Sequence, residues 1–202
     1  MPSINFDGPT TLSHNTTWVA GSVINMSGDI QIAPGVVLTV EPGVTINGNG
    51  NQVKAFGTLK MVGGASAQIQ LNNVALGFGS SSSTPGNIEL NHVAMNGGSF
   101  IAPSGYGQYG RFDLVESTFM GVKGFYVWYP TGPSTITKNI FVDSDGLSIG
   151  TSGAGTLAIT NNAFLNQSNG YAIQVWANYN DGISANLNSF LSIDKVAIDI
   201  KS

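Results

Sequence analysis

The chain of 202 residues contains no cysteine. That excludes a disulfide framework and any thiolate metal site, and leaves the redox compartment open. Charge is scarce as well: charged residues make up 9% of the sequence, against about 25% in an average soluble domain. Arg111 is the single arginine, and His14 and His92 are the two histidines. The formal net charge of -4 gives no basic footprint for nucleic acid. No apolar run approaches the ~20 residues of a membrane span. The opening Met1-Pro2-Ser3-Ile4-Asn5-Phe6 lacks the charged and apolar regions of a signal peptide. A secreted protein would therefore have its signal outside this chain.

Polarity comes instead from Asn, Ser, Thr and 27 glycines, residues that favour turns and resist long helices. Apolar residues make up 42% of the chain, enough for one sizeable core. The organisation emerges from an internal repeat. Six segments share a pattern: Ile69–Val74, Ile88–Val93, Leu114–Phe119, Ile136–Phe141, Ile159–Phe164 and Ala185–Phe190. Each has an apolar or small residue, a polar residue three positions on, and Val or Phe two further. The anchors at 74, 93, 119, 141, 164 and 190 are spaced by 19, 26, 22, 23 and 26 residues, about 23 on average. A fixed local pattern with a drifting gap fits stacked coils whose loops vary in length. The apolar residues alternate with period 2, which argues strand rather than helix.

The polar position holds Asn72, Asn91, Asn139, Asn162 and Asn188, with Ser117 in one coil. A corner between strands needs a residue that tolerates the left-handed region, as Asn does. Amides stacked about 4.8 Å apart in successive coils can hydrogen-bond along the axis, so an internal Asn ladder is expected. A second strand follows each of the later anchors. Alternation places Phe125, Val127, Leu147, Ile149, Tyr171, Ile173, Val196 and Ile198 inside, and Tyr126, Trp128, Ser148, Gln174 and Asp199 outside. The expectation is an all-β, right-handed parallel β-helix of about 23 residues per coil. It divides into a lead-in at 1–17, opening coils at 18–66 and repeat coils at 67–202. The end at Ile200-Lys201-Ser202 directly follows an expected strand without a polar cap, which predicts a fragment of a longer protein or an end covered by another chain.

Two Pro-Gly turns, Pro34-Gly35 and Pro42-Gly43, separate β-rich runs between Gly28 and Ile46. With the repeats, this run resembles the right-handed parallel β-helix proteins of the pectate-lyase-like superfamily, in the style of bacterial secreted and surface β-helix domains. The resemblance covers about residues 18–200. It implies a fold and not one function, because this fold hosts lyases, hydrolases, epimerases, phage tailspikes and adhesins. The Asn-Thr-Asp, Asp-Asp and Gly-His-Gly segments of polygalacturonase-like hydrolases are absent, as is the Asp-Pro-His-Glu motif of alginate epimerases. The arginine base of pectate lyases has one counterpart by residue type, Arg111, which lies close to Asp113 and Glu116 and reads as part of a surface ion pair. His92 reads as a solvated turn residue. Glu89 and Asp113 both face outward on neighbouring strands, offset by one position, which argues against a dyad.

Asp143 and Asp145, two residues apart in a turn, are the candidate metal ligands. They would contribute to a calcium site, although a dedicated site needs more ligands and turn formation explains both residues. No other cofactor is expected. The main functional candidates are aromatic: Tyr106 and Tyr109, Tyr126, Trp128 and Tyr129, then Trp176 and Tyr179. Stacked coils bring their loops out along one side, next to Gln174 and Asp199. Flat ring faces beside amides and carboxylates are what a saccharide groove uses. The same aromatics would equally pack loops or an oligomer contact. Three functions follow. One is a non-catalytic extracellular module of a bacterial surface protein or phage fibre that binds a glycan or partner. The others are a polysaccharide lyase or hydrolase with an atypical site, and a structural stalk. A homo-oligomer or a neighbouring domain at an open solenoid end is compatible with all three; nucleic acid and membrane insertion are not expected.

Overall fold

The computed structural model describes residues 2–79, 85–102, 110–128, 130–150, 155–167, 170–176 and 182–201, with the side chains of residues 128 and 201 outside the description. Among the described residues every element is a strand, and every pairing between named strands is parallel. The chain is a parallel β-solenoid of about eight turns. One side is a nine-stranded sheet running from Ser3–Phe6 to Ser189–Ile193. A second is an eight-stranded sheet from Thr16–Trp18 to Ile183–Asn186. The third side is divided. Five strands from Thr10–Leu12 to Ser99–Ile101 form its first part, and four from Tyr126–Trp128 to Val196–Lys201 form its second.

Alternation explains the core. Inward residues of each strand stack on those of the coils before and after, and a single hydrophobic column runs the length of the molecule. On the nine-stranded sheet the inward column reads Ile4, Ile24, Ile46, Leu71 and Met95, then Phe119, Phe141, Phe164 and Phe190. Successive members are 20, 22, 25, 24, 24, 22, 23 and 26 residues apart. The four phenyl rings lie nearly parallel, with centroids 5.1, 4.8 and 5.5 Å apart.

This register corrects two of the six sequence segments. Leu71, not Val74, and Met95, not Val93, share the column of Phe119. Residues 3–17 are also no separate lead-in, since Ser3–Phe6, Thr10–Leu12 and Thr16–Trp18 pair with the next coil.

The Asn column is two columns. Asn139, Asn162 and Asn188 form an inner ladder, with Asn139 Nδ2 donating to Asn162 Oδ1 and Asn162 Nδ2 to Asn188 Oδ1, both at 3.0 Å. Ser117 continues it, its Oγ accepting from Val93 N at 3.0 Å. Asn72 belongs instead to an outer ladder, in which Asn25, Asn47 and Asn72 each donate to the Asn of the preceding coil, beginning with Asn5. Asn91 belongs to neither; it sits in the eight-stranded sheet opposite Val62 and Val115.

The inner Asn residues also do not take the left-handed conformation. The residue before each ladder position does: His92, Glu116, Lys138, Asn161 and Leu187 have φ between 48° and 57°. The ladder side chain then meets the backbone groups freed by that corner. Asn139 Oδ1 accepts from Ser117 N at 3.0 Å, and its Nδ2 donates to Leu114 O at 2.7 Å. At the exposed corner itself, the Lys138 ammonium 2.9 Å from Glu116 holds that carboxyl below its ordinary range, and His92 Nε2 lies 3.1 Å from the same carboxylate. Glu116 therefore pairs with Lys138 and His92, not with Arg111.

The third side breaks between Ser99–Ile101 and Tyr126–Trp128. A single parallel bridge, Ser99 with Lys123, links the two parts. Gly124 follows with φ 73°, and a Cβ there would lie 2.4 Å from the Phe100 carbonyl oxygen. Only glycine fits such an approach. Phe125 then turns inward to pack on Phe100, Phe119 and Phe141, with centroids 4.7 to 5.3 Å away. The break therefore marks where the four-stranded sheet begins.

Candidate functional site

The outward face of the four-stranded sheet is built by register. Tyr126 lies beside Ser148, Ser148 beside Gln174, and Gln174 beside Asp199, one residue from each of four successive coils. Parallel strands are spaced about 4.8 Å apart, so the column spans roughly 14 Å along the solenoid axis. Trp176, two residues beyond Gln174, leans back over the column, and its Nε1 donates to Ser148 Oγ at 3.2 Å. Ser148 and Gln174, expected outside, do point outward but are covered, at 3% and 9% exposure. Gln174 Nε2 donates to Asp199 Oδ2 at 3.0 Å.

Tyr171 was expected inside and is not. Ala172 and Ile173 are both fully buried, so alternation breaks after Gly170, whose φ is 100°. The Tyr171 ring stays half-buried, and its hydroxyl bonds to Ser148. Burial pushes that phenol's pKa up, with Tyr126, Asp145 and Asp199 adding to the effect. Tyr171 is the member of this face that alternation alone misses; the glycine just before it was the available signal. Ile198 keeps the inward register opposite Ile173 but is 43% exposed, and Val196 is 44% exposed.

Of the nine sequence candidates for a saccharide groove, Tyr126, Gln174, Trp176 and Asp199 meet on this face. Tyr126 and Trp176 present ring surface at 45% and 36% exposure. Tyr106, Tyr109, Tyr129 and Tyr179 lie outside the described residues, as does the side chain of Trp128. The face can therefore offer two ring surfaces for sugar C–H groups, with the Tyr171 phenol and the Asp199 carboxylate beside them for hydroxyls.

Asp145 borders the same face. Its carboxylate accepts from Gly124 N at 2.9 Å and pairs with Lys123 Nζ at 3.3 Å. Asp143 is exposed and occupies a left-handed corner, φ 49°. The two carboxylates thus belong to different local structures, and no group of three or more His, Asp or Glu converges among the described residues.

A second cluster lies on the eight-stranded sheet. Glu89 pairs in direct register with Asp113 on one side and Lys60 on the other. Glu89 and Asp113 are direct register partners, not offset by one position as expected from the sequence. Arg111 Nε is in contact with Asp113 Oδ2, as the sequence suggested. Asp113 Oδ1 accepts from Thr135 N at 2.9 Å. A shallow depression of about 180 Å³ opens here, bordered by Met61, Glu89, Asn91, Arg111 and Val115.

Asp113 is 6% exposed, and burial raises its pKa above the ordinary 3.8 despite the neighbouring guanidinium. A carboxyl that binds its proton more tightly in the folded state stabilises the fold at low pH. That contribution is lost as pH rises through the folded pKa. We therefore expect Asp113→Asn, which keeps an acceptor for Thr135 N, to gain stability relative to the wild type as pH rises from 4 to 7. Urea denaturation across that range measures it; a gap that is flat or shrinks with pH would contradict the assignment.

The chain matches no protein-family model, no curated protein and no solved structure.

Proposed function

We propose that the chain is a non-catalytic extracellular β-helix module, of the pectate-lyase-like kind found in bacterial surface proteins and phage fibres. In this reading it holds a glycan on the outward face of its four-stranded sheet. The observation that carries it is the Tyr126–Ser148–Gln174–Asp199 column overhung by Trp176. Ring faces and hydrogen-bonding groups lie side by side there on a rigid scaffold, which suits a ligand that is apolar on its faces and polar at its edges. The sequence lacks the catalytic segments of the related enzymes, which supports binding without turnover.

A glycan array followed by calorimetry on the best ligand tests this reading. Trp176→Ala and Tyr126→Ala should each weaken binding about tenfold, near 1.4 kcal/mol. Thr39→Ala, on the eight-stranded sheet, should leave affinity unchanged. Absence of any array signal, or affinity indifferent to both aromatic substitutions, would overturn it.

The Glu89–Asp113 pair favours the enzymatic alternative, a polysaccharide lyase or hydrolase. Adjacent carboxyls of which one has its pKa raised by burial can divide acid and base roles. Incubation with polyuronates and neutral glycans, followed by reducing-sugar and unsaturated-product assays, decides it; activity abolished by Glu89→Gln would support this reading over binding alone.

A further inference from the structure

The nine-stranded sheet is unused by either reading, and its outer face is chemically unusual. Two or three residues of each strand point outward, and none of them is charged on any of the nine strands. The other faces all carry charge at outward positions: Lys60, Glu89 and Asp113 on the eight-stranded sheet, Lys54 on the five-stranded sheet and Asp199 on the four-stranded sheet. Charged residues return at the corners flanking the face, among them Glu116, Lys138 and Asp143. An uncharged centre with a charged rim is the anatomy of a protein interface.

One outward column changes character along its length. It holds Asn5, Asn25, Asn47, Asn72 and Asn96 in the first five coils. It then holds Met120, Val142, Leu165 and Leu191 in the next four. Backbone and register are continuous through the change, so the fold accepts polar residues here and does not demand apolar ones. Met120 and Leu191 are nonetheless 49% and 64% exposed, and Ile140, in the neighbouring outward column, is 43% exposed.

We infer that this face joins two copies of the chain side by side, with their solenoid axes parallel and equivalent coils opposed. Uncharged surface makes the face self-complementary, since no like charges meet across a two-fold axis. Coil-to-coil alignment sets the apolar half on the apolar half and the Asn half on the Asn half. The opposite orientation would either match Asn to Leu or use only the apolar half. Nine strands at ~4.8 Å and three residues at ~3.3 Å give a footprint of roughly 400 Å² per copy. Both copies together bury roughly 800 Å², below the roughly 1,200 Å² of stable specific interfaces, so the dimer is weak and transient, with dissociation in the micromolar to millimolar range.

Sedimentation velocity of this chain over that concentration range tests the inference. The wild type should shift from monomer to dimer. Val142→Lys and Val142→Glu should each stay monomeric, while their equimolar mixture associates again, because opposed coils bring position 142 against its own copy. Circular dichroism checks the fold, and Met120→Lys with Met120→Glu serves as a second pair at a more exposed position. A wild type that stays monomeric throughout, association unaffected by the single charges, or mixtures that fail to restore it would each overturn the inference. If Val142→Lys is rescued by Leu165→Glu and not by Val142→Glu, the coils are opposed end for end and the parallel arrangement is wrong.

Discussion

Asn162→Leu should destabilise the chain by about 3–6 kcal/mol, or prevent folding, although leucine keeps the number and branching of side-chain heavy atoms. The Asn162 amide makes four hydrogen bonds in a site 2% exposed. Its Oδ1 accepts from Asn139 N and Asn139 Nδ2, at 2.9 and 3.0 Å. Its Nδ2 donates to Ile136 O and Asn188 Oδ1, at 2.8 and 3.0 Å. Substitution leaves two buried donors and a buried carbonyl without these partners, each costing about 1–3 kcal/mol. The matching change in the outer ladder, Asn25→Ala, should cost less than about 1 kcal/mol, because water can reach the groups that Asn25 leaves. Urea denaturation of both variants measures the contrast. Equal losses would mean that both ladders act through something other than buried hydrogen bonding.

Removal of one ring from the phenylalanine stack should cost nearly as much. Phe141→Ala is expected to lose about 3–5 kcal/mol. Phe141 is fully buried, lies 5.1 Å from Phe119 and 4.8 Å from Phe164, and meets the edge of Phe125 at 5.2 Å. Each layer of the solenoid core is supplied by one coil, so the cavity cannot be filled without moving the rings stacked above or below. Phe141→Leu should cost markedly less, since Leu71 fills the same column three coils earlier. Thermal and urea unfolding separate the two. A Phe141→Ala variant within about 1 kcal/mol of the wild type would show that the core collapses around the gap.

How the register was lost in the sequence is instructive. The six-residue pattern accepted Val or Phe as the anchor, and Val74 and Val93 satisfied it. The column itself accepts any inward residue that fills the space, including Leu71 and Met95. From Val93 to Met95 the shift is two positions, which preserves alternation, and from Val74 to Leu71 it is three, across the corner at Asn73; Ile69, Leu71, Ile88 and Leu90 are all buried, as alternation expects. Lateral neighbours did not survive the shift. It separated Glu89 from Asp113, and it merged two Asn ladders that differ in both face and hydrogen bonding. On the four-stranded sheet alternation alone placed Tyr126, Gln174 and Asp199 on the outward side, and the register that sets them in one column comes from the structure. Tyr171 was misplaced because counting back through Gly170 assumes an alternation that its backbone breaks.

The sequence alone therefore determined the class of fold, the coil length of about 23 residues and the inward faces of most strands. Each of these depends on the period of apolar residues along a single coil, which is local information. It also determined that Tyr126, Trp176, Gln174 and Asp199 share one side. The tertiary structure decided which residues are lateral neighbours, that Trp176 covers Ser148, that Glu89 and Asp113 are register partners, and that one whole face carries no charge. Those depend on the offset between coils separated by loops of unequal length, and on where long side chains bend after leaving the strand. Neither quantity is written in the spacing of any one coil.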